Sequence, residues 1–321
     1  MVGKLYFDSI DQALGCETYV PEGMLRRNPT NLGYLRSRSG LEEAMRRGVT
    51  LEAMCVMCDC GTMQLTVELC DGIRGIIPRE ECAYSSGGSD KIKDIAIITR
   101  VGKPVQFKIM AMRGDTALLS RRAAEEECMR HYVSCLRPGD IIPAKVTHLE
   151  PFGAFCDIGG GIVSLLTVDR VSVSRISHPS DRFRPGEYIN AVVHSKEEDG
   201  RIYLTHRELL GTWEENAAQF APGQTVTGIV RSVESYGVFV ELTPNLAGLS
   251  EAFDKATPGD ICSVYIKSMI PERMKIKLAM IDDCGRAEPM PIRYFINSSV
   301  GHIRYWRYSP DASEKLIETR F

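Results

Sequence analysis

The chain has 321 residues, of which 44% are hydrophobic and 25% are charged, as in a folded globular protein and unlike a disordered or collagen-like chain. Its 39 Lys and Arg residues and 42 Asp and Glu residues nearly balance, so any nucleic-acid site has to be local. No apolar run approaches the roughly 18 residues of a membrane span, and charges interrupt the N-terminal sequence early, so we expect a cytoplasmic protein with no membrane partner.

Residues 1–48 are predicted as an N-terminal tail followed by one helix. Four arginines (Arg26, Arg27, Arg36 and Arg38) lie among Gly, Asn and Pro residues, which indicates either a solvated tail or an arm that reaches RNA. The run from Ser39 to Gly48 has a capping residue, an acidic first turn, a basic last turn and a terminal Gly, so we predict a helix there.

The 11 cysteines are odd in number and scattered, which favours reduced thiols over a disulfide framework. The spacing of Cys55, Cys58 and Cys60 raises the alternative of a metal site. Structural zinc requires four ligands, however, and neither a second pair of cysteines nor a histidine pair follows at the spacing of a zinc finger. The cluster also lies in an apolar-rich run, 51–59, that is predicted as a strand. We therefore expect no metal site and no cofactor.

An internal repeat dominates the rest of the chain. The sequence RPGDI at 137–141 corresponds to APGQT at 221–225, and PFGAFCDI at 151–158 corresponds to SYGVFVEL at 235–242, both with an offset of 84 residues. A weaker third copy lies upstream. The chain therefore divides into an N-terminal tail and helix, a divergent repeat, two closely related repeats and a C-terminal extension, with predicted boundaries 1–48, 49–122, 137–207, 222–281 and 282–321.

The middle repeat predicts five short strands, which are rich in β-branched residues or alternate with period two: 141–149, 154–158, 162–166, 188–195 and 201–205. A flat sheet of this size would leave edges unpaired, whereas a closed barrel covers them. The segments 121–136 and 208–220 have helical composition and stop before Pro-Gly pairs. The predicted fold is thus mainly β, with three tandem five-stranded barrels joined by short helices.

Strand alternation predicts which aromatic side chains lie outside the barrels. Ala154, Cys156 and Ile158 share one face and are predicted to fill the core, which places Phe155 and Asp157 outside. The next repeat places Phe239 and Glu241 outside in the same way, and each outer ring follows a second aromatic residue, Phe152 or Tyr236. The last strands place cations outside as well, Arg201 in the middle repeat and Lys275 in the next. Rings beside cations can stack unpaired bases and hold phosphates, although a linker helix or a neighbouring repeat covering the rings is the alternative.

The segments 137–140, 145–159 and 201–207, with their copies in 222–278, resemble the S-one (S1) RNA-binding domain, a barrel of the OB-fold class found in tandem in bacterial ribosomal protein S-one. The likeness covers about residues 49–281, and its most specific parts are the Phe-Gly-Ala-Phe motif and the Arg-Ile-x-Leu of the last strand. It implies that Phe152, Phe155 and Arg201 contact RNA. The family's histidine and aspartate positions fall on Thr167 and Glu197. In the third repeat the matching residues are Tyr236, Phe239 and Lys275.

The first repeat lacks this pattern, because Gln64, Thr66 and Glu68 occupy its outer face and Thr116 replaces the cation. By resemblance to the early repeats of the ribosomal proteins, it is predicted to serve docking or structure. In the C-terminal extension, 294–297 and 303–310 predict either a strand pair packed on the third barrel, with Arg304, Trp306 and Tyr308 on one face, or an RNA-contacting extension.

The sequence therefore predicts a noncatalytic protein of the translation apparatus that binds single-stranded RNA, mRNA in particular, and that associates with the small ribosomal subunit. An RNA-decay or regulatory factor that is not stably bound to the ribosome is the alternative, because the repeat does not specify the machinery it serves. An enzyme is disfavoured because no phosphate-binding loop, nucleophile elbow or zinc-protease motif occurs in the sequence.

Overall fold

The computed structural model describes residues 19–70, 72–84, 92–198, 200–252, 256–286, 290–296 and 298–321. Fifteen of the strands in these segments form three closed barrels of five strands each. In every barrel the third and fifth strands pair in parallel and all other neighbours pair antiparallel, which is the strand order of the OB-fold. The predicted fold class, mainly β with three tandem barrels, is confirmed.

The three barrels follow one another along the chain. Barrel one contains β1 (Leu51–Cys58), β2 (Leu65–Glu68), β3 (Arg74–Ile77), β4 (Pro104–Arg113) and β5 (Thr116–Ser120). Barrel two contains β6 (Ile141–Glu150), β7 (Gly153–Asp157), β8 (Val163–Thr167), β9 (Tyr188–Lys196) and β10 (Ile202–Thr205). Barrel three contains β11 (Thr225–Glu234), β12 (Gly237–Thr243), β13 (Leu246–Ser250), β14 (Asp260–Ile270) and β15 (Lys275–Arg286).

In the described segments, five α-helices and a small strand pair lie outside the barrels. The helices are α1 (Pro29–Leu35), α2 (Arg38–Arg47), α3 (Asp94–Ile98), α4 (Arg121–His131) and α5 (Trp213–Ala217), and the strand pair is β16 (Tyr305–Arg307) with β17 (Glu318–Arg320). No helix within these segments has the length and apolar character needed to cross a membrane.

Each barrel encloses its own apolar core, and the predicted strand faces are confirmed. Ala154, Cys156 and Ile158 are fully buried in the core of barrel two. Val238 and Val240 hold the same positions in barrel three. Period-two alternation therefore assigned the inner faces correctly, because each strand has one face in the core.

Barrels one and two meet at a buried network of charges, the one–two junction. The Glu22 carboxylate of the N-terminal segment accepts from Arg121 Nε at the start of α4 at 3.0 Å and from Arg100 Nη1 of barrel one at 2.9 Å. The Glu22 backbone N–H donates to Asp157 Oδ2 of barrel two at 2.7 Å. Arg121 also pairs with Glu125 one turn along α4. Residues 19–22 are thus ordered between the barrels, which corrects the prediction of a loose tail for this part of 1–38.

Barrels two and three meet at a second junction, which also contains buried charges. Glu241 at 0% exposure pairs with Arg182 of barrel two and accepts from Arg231 Nε of its own barrel at 2.8 Å. Asn245, in the turn between β12 and β13, accepts from the Val173 backbone N–H at 2.9 Å. Asp157 and Glu241 lie 84 residues apart in sequence and hold the same place in their repeats. The sequence predicted both outside the barrel, which is correct, but a neighbouring unit covers each of them.

The C-terminal extension packs against barrels two and three. Trp306 and Tyr308 are both 5% exposed and belong to the core cluster of barrel three, so the prediction that this segment packs on the third barrel is correct. The partner of β16 is β17, however, and the predicted strand at 294–297 is wrong for its described residues 294–296. His302 Nδ1 lies 2.8 Å from Asp140 Oδ1 at the start of barrel two, so the extension also contacts that barrel.

The predicted helices differ from the observed ones at their ends. The first begins at Arg38 with Ser37 as its N-terminal cap and ends at Arg47 with the predicted Gly48 as its C-terminal cap, but its first turn carries no acidic residue. Helix α4 ends at His131 rather than at residue 136. The predicted helix 208–220 is wrong in its first half, because Gly211 with φ 82° separates a short 3₁₀ turn from α5.

Candidate nucleic-acid interface

The predicted aromatic pairs lie on the outer surfaces of barrels two and three. Phe152 is 54% exposed and meets the half-buried Phe155 edge to face, with ring centroids 6.0 Å apart. Tyr236, 65% exposed, meets Phe239 in the same way at 6.2 Å. The alternative prediction, in which a linker helix or a neighbouring barrel covers the rings, is therefore wrong for Phe152 and Tyr236, the exposed member of each pair.

A glycine between the two rings of each pair brings the strands close together. A Cβ at Gly153 would lie 2.5 Å from the Leu166 carbonyl oxygen, and one at Gly237 would lie 2.3 Å from the Ser250 carbonyl oxygen. Gly237 also has φ 152°, a conformation that L-residues rarely adopt. The glycine thus allows the turn from β6 to β7, or from β11 to β12, that places both rings on one surface.

Strand pairing extends each aromatic pair into a row of side chains across the outer surface. In barrel two the register places Phe155 beside His148 on one side and beside Leu165 on the other, and Leu165 pairs with Tyr203. The His148 and Phe155 rings lie nearly parallel at 24°, with centroids 6.3 Å apart. His148 and Tyr203 were not among the predicted site residues, although the outward position of Tyr203 follows from the alternation of its strand.

The equivalent row of barrel three has one aromatic ring and a cation. Phe239 pairs with Leu249, and Leu249 pairs with Lys277, whose side chain is exposed beside that of Lys275. In barrel one the row consists of Thr66, Ile76 and Leu118. It therefore offers neither a ring nor a charge, and Thr66, predicted on the outer face, is only 9% exposed. The predicted absence of aromatic rings and cations from the first repeat thus holds for the whole row.

The remaining predicted residues of barrel two lie at opposite ends of its outer surface. Thr167 ends β8 near Phe152, whose carbonyl oxygen accepts from the Val168 N–H at 2.9 Å. Arg201 stands just before β10, at the far end of the parallel β8–β10 pair, and contacts Glu197 at 3.2 Å. All the predicted residues of barrel two thus share one surface. They span the length of a strand, on the order of 15 Å for five residues.

The cysteine cluster does not form a ligand set. Cys55 is buried, Cys58 is half-buried and Cys60 is exposed. Burial raises the pKa of the Cys55 thiol to about 11, which favours its protonated, non-coordinating form. In the part of the chain that the structure covers, no three His, Cys, Asp or Glu side chains are arranged to hold a metal ion.

Comparison with known proteins agrees with this geometry. Residues 136–207, which include all of barrel two, match the family model of the S1 RNA binding domain. Small ribosomal subunit protein bS1 of Leuconostoc lactis is 29% identical over 226 residues, 65% of this chain and 52% of that protein. The bS1 protein of Staphylococcus aureus strain MRSA252 is also 29% identical, over 82% of this chain and 70% of its own length.

A solved multidomain protein with nucleic acid binding domains from Streptococcus pneumoniae aligns over 73% of each chain at 13% identity and a TM-score of 0.24, which is too low to add to the assignment. The chain spans about half the length of the Leuconostoc lactis relative. The matched domain, the similarity to bS1 over most of the chain and the three barrels together support the S1 family of RNA-binding domains.

Proposed function

We propose that this protein is a noncatalytic, cytoplasmic RNA-binding protein of the translation apparatus, which holds single-stranded RNA, mRNA in particular, and associates with the small ribosomal subunit. The observation that carries the proposal is the repeated outer surface of barrels two and three, where an exposed aromatic pair shares one surface with a cation. Base stacking on such rings contributes about 1 to 3 kcal/mol per base and tolerates any base. The two bS1 relatives support the assignment to translation.

The contacts in barrel two are assigned to Phe152 and Phe155 for stacking, Arg201 for phosphate, and Thr167 and Glu197 for polar groups of the nucleotide. In barrel three Tyr236 and Phe239 stack bases and Lys275 holds phosphate. We infer that the domains run from 137 to 207 and from 222 to 281, with barrel one at 49–122 serving mainly in structure or docking, between the terminal segments 1–48 and 282–321.

Single strands are the expected ligand because the rings need unpaired bases. The deep major groove of an RNA duplex cannot admit a barrel surface with two projecting rings. Fluorescence anisotropy with a single-stranded and a hairpin RNA of equal length tests this directly. Equal or tighter binding of the hairpin would contradict the proposal.

The Phe155→Ala substitution tests the stacking role of barrel two. We expect weaker binding of single-stranded RNA by about 1 to 3 kcal/mol, with little change in melting temperature, because the ring lies outside the core. Thr66→Ala changes the equivalent row position of barrel one and serves as the matched control, with no expected effect on affinity. If Phe155→Ala lowers the melting temperature and leaves the affinity unchanged, the ring is structural. Co-sedimentation of the wild-type chain with small ribosomal subunits tests the cellular assignment.

A further inference from the structure

A cavity of about 310 Å³ lies where barrels one and two meet. It opens beside the candidate RNA surface, because Arg201 lies in its wall. The side chains that give it its chemical character come from barrel one, helix α4 and barrel two: Tyr84, Arg100, Arg121, Glu125, Ser164 and Arg201. Its volume is at the lower end of the range for small-molecule sites, which suits a ligand about as large as a nucleotide.

The cavity wall is rich in positive charge. Arg100 and Arg121 approach each other closely enough that the charge of Arg121 is the main cause lowering the pKa of Arg100. They share one carboxylate, that of Glu22, at 2.9 and 3.0 Å. Burial raises the pKa of Glu125, although its ion pair with Arg121 opposes that shift. Arg201, which also contacts Glu197 at 3.2 Å, adds a third guanidinium at the rim, and the added charge favours binding of an anion.

Two residues that line the cavity each have a buried polar atom without a partner in the described part of the chain. Arg121 Nη2 and Ser164 Oγ are buried and have no hydrogen-bond partner among the described residues. The Arg121 side chain is 1% exposed and Ser164 is 3% exposed. Gly161 leaves room for the guanidinium, because a Cβ there would lie 2.0 Å from Arg121 Nη2. Buried donors without acceptors are costly, and oxygen atoms of a bound anion would supply acceptors.

We propose that this cavity binds a phosphate group. Two sources carry the same chemistry: a backbone phosphate of RNA lying on barrel two, or a free nucleotide. An RNA strand that follows β8 and β10 from Thr167 towards Arg201 leaves barrel two at the cavity mouth. The RNA source rests on the proposed function, whereas the free-nucleotide source is independent of it.

The experiment uses the full chain with two probes at low salt. Calorimetric titration with AMP measures the free-nucleotide source, and anisotropy with an unphosphorylated 12-nucleotide single-stranded RNA measures the backbone source. Arg100→Gln is expected to weaken binding of the relevant probe about tenfold, since a charge-assisted contact is lost. Arg113→Gln removes an exposed cation of barrel one far from the cavity and is the matched control, with no more than the small uniform loss of one distant charge.

A second variant is needed because Arg100→Gln also removes a partner of the buried Glu22. Ser164→Ala deletes a hydroxyl that has no partner, so the melting temperature should be maintained while the affinity falls. If both variants bind AMP more weakly than wild type does, the phosphate in the cavity comes from a free nucleotide. If both variants bind RNA more weakly and the protein does not bind AMP, the phosphate comes from the RNA backbone. Unchanged binding of both probes would overturn the proposal, and so would a loss confined to Arg100→Gln with a lower melting temperature.

The experiment also separates the hypothesis that the protein binds RNA from the hypothesis that the cavity binds phosphate. Phe155→Ala should weaken RNA binding and leave AMP binding unchanged, because the ring lies outside the cavity. If the wild-type chain binds no RNA, the proposed function fails, and the AMP titration alone decides whether the cavity holds phosphate.

Discussion

The three barrels differ in the side chain at one position of their outer surface, the residue of the row that lies on the fifth strand. That position is occupied by Leu118 in barrel one, Tyr203 in barrel two and Lys277 in barrel three, as the pairing of the third and fifth strands shows. An aliphatic chain neither stacks on a base nor attracts phosphate. An aromatic ring does the first and an ammonium group does the second. Barrels with the same fold therefore present different chemistry at matched positions.

Tyr203 is accordingly predicted to provide a further base contact in barrel two. Tyr203→Ala should weaken binding of single-stranded RNA by about 1 kcal/mol, the lower end of the stacking range because the ring is half-buried. Tyr203→Phe should restore most of the affinity, since the ring rather than the hydroxyl makes the contact. Anisotropy titrations of both variants check the prediction. Equal losses in the two variants would instead assign the contact to the hydroxyl group.

The sequence predicted the orientation of most candidate side chains, because each strand has one buried face and alternation then fixes the other. It could not predict which outward residues a neighbouring barrel covers. Asp157 and Phe155 lie on the same outer face, yet Asp157 is 1% exposed because the Glu22 segment lies over it. Glu22 is 135 residues away in sequence, and no local pattern reports such a contact.

At the scale of elements, strands were predicted more accurately than linkers. The strands of barrel two begin and end within two residues of the prediction, whereas the linker 208–220 is interrupted. Helical composition extends through Gly211, but this residue adopts φ 82° and closely approaches Phe295, to which a Cβ there would lie 2.7 Å away. The positive φ of Gly211 ends the helical pattern, and the contact with Phe295 of the C-terminal extension leaves no room for a side chain at this position.

The end of β7 makes the one–two junction sensitive to pH. Burial and the neighbouring Glu22 carboxylate raise the pKa of Asp157 to about 7. A carboxyl group whose folded pKa is raised stabilises the fold at low pH and loses this contribution as the pH rises towards 7. Asp157→Asn removes the titration, so its stability relative to wild type should increase by about 2 kcal/mol between pH 5.5 and pH 8.

Thermal unfolding of both proteins at the two pH values measures this difference. Other titrating groups contribute equally to both proteins, so their effects drop out of the difference. His206 is an example: burial lowers its pKa to about 4, so it favours the folded state at higher pH, opposite to Asp157. Asp169→Asn removes an exposed carboxylate of barrel two and is the control for the loss of one acidic side chain. A relative stability of Asp157→Asn that does not change with pH would show that Asp157 stays ionised in the folded protein.

At the scale of the whole molecule, segments from both ends of the described chain join the barrels. Residues 19–24 lie between barrels one and two, and the C-terminal extension packs on barrel three and reaches barrel two through His302. The three barrels therefore lie in sequence order, and barrel two meets its neighbours near opposite ends of the β8–β10 pair. The repeat offset predicted the barrels but not these connections, which depend on contacts between distant segments.

The two faces of β16 provide a test of how firmly the C-terminal extension holds barrel three. Trp306 is 5% exposed in the core cluster, whereas its neighbour Tyr305 is 49% exposed and contacts Glu318 and Arg320 at the surface. Trp306→Ala should destabilise the fold by about 3 to 5 kcal/mol through lost burial and a residual cavity. Tyr305→Ala should cost less than about 1 kcal/mol, since exposed contacts are screened by water.

Denaturant unfolding, followed by tryptophan fluorescence, compares the two variants with wild type. In Trp306→Ala the signal comes from Trp213 alone, whereas Tyr305→Ala and wild type contain both tryptophans. Trp213 lies in the same core cluster, and its backbone N–H donates to the Tyr308 carbonyl oxygen at 3.0 Å, so its environment reports on both the extension and barrel three. If the extension is an integral part of this core, Trp306→Ala shifts the unfolding transition to lower denaturant and Tyr305→Ala leaves it in place. Equal, small shifts would mean that the extension separates from barrel three without cost. An RNA-binding fragment ending at residue 281 would then be as stable as one ending at residue 321.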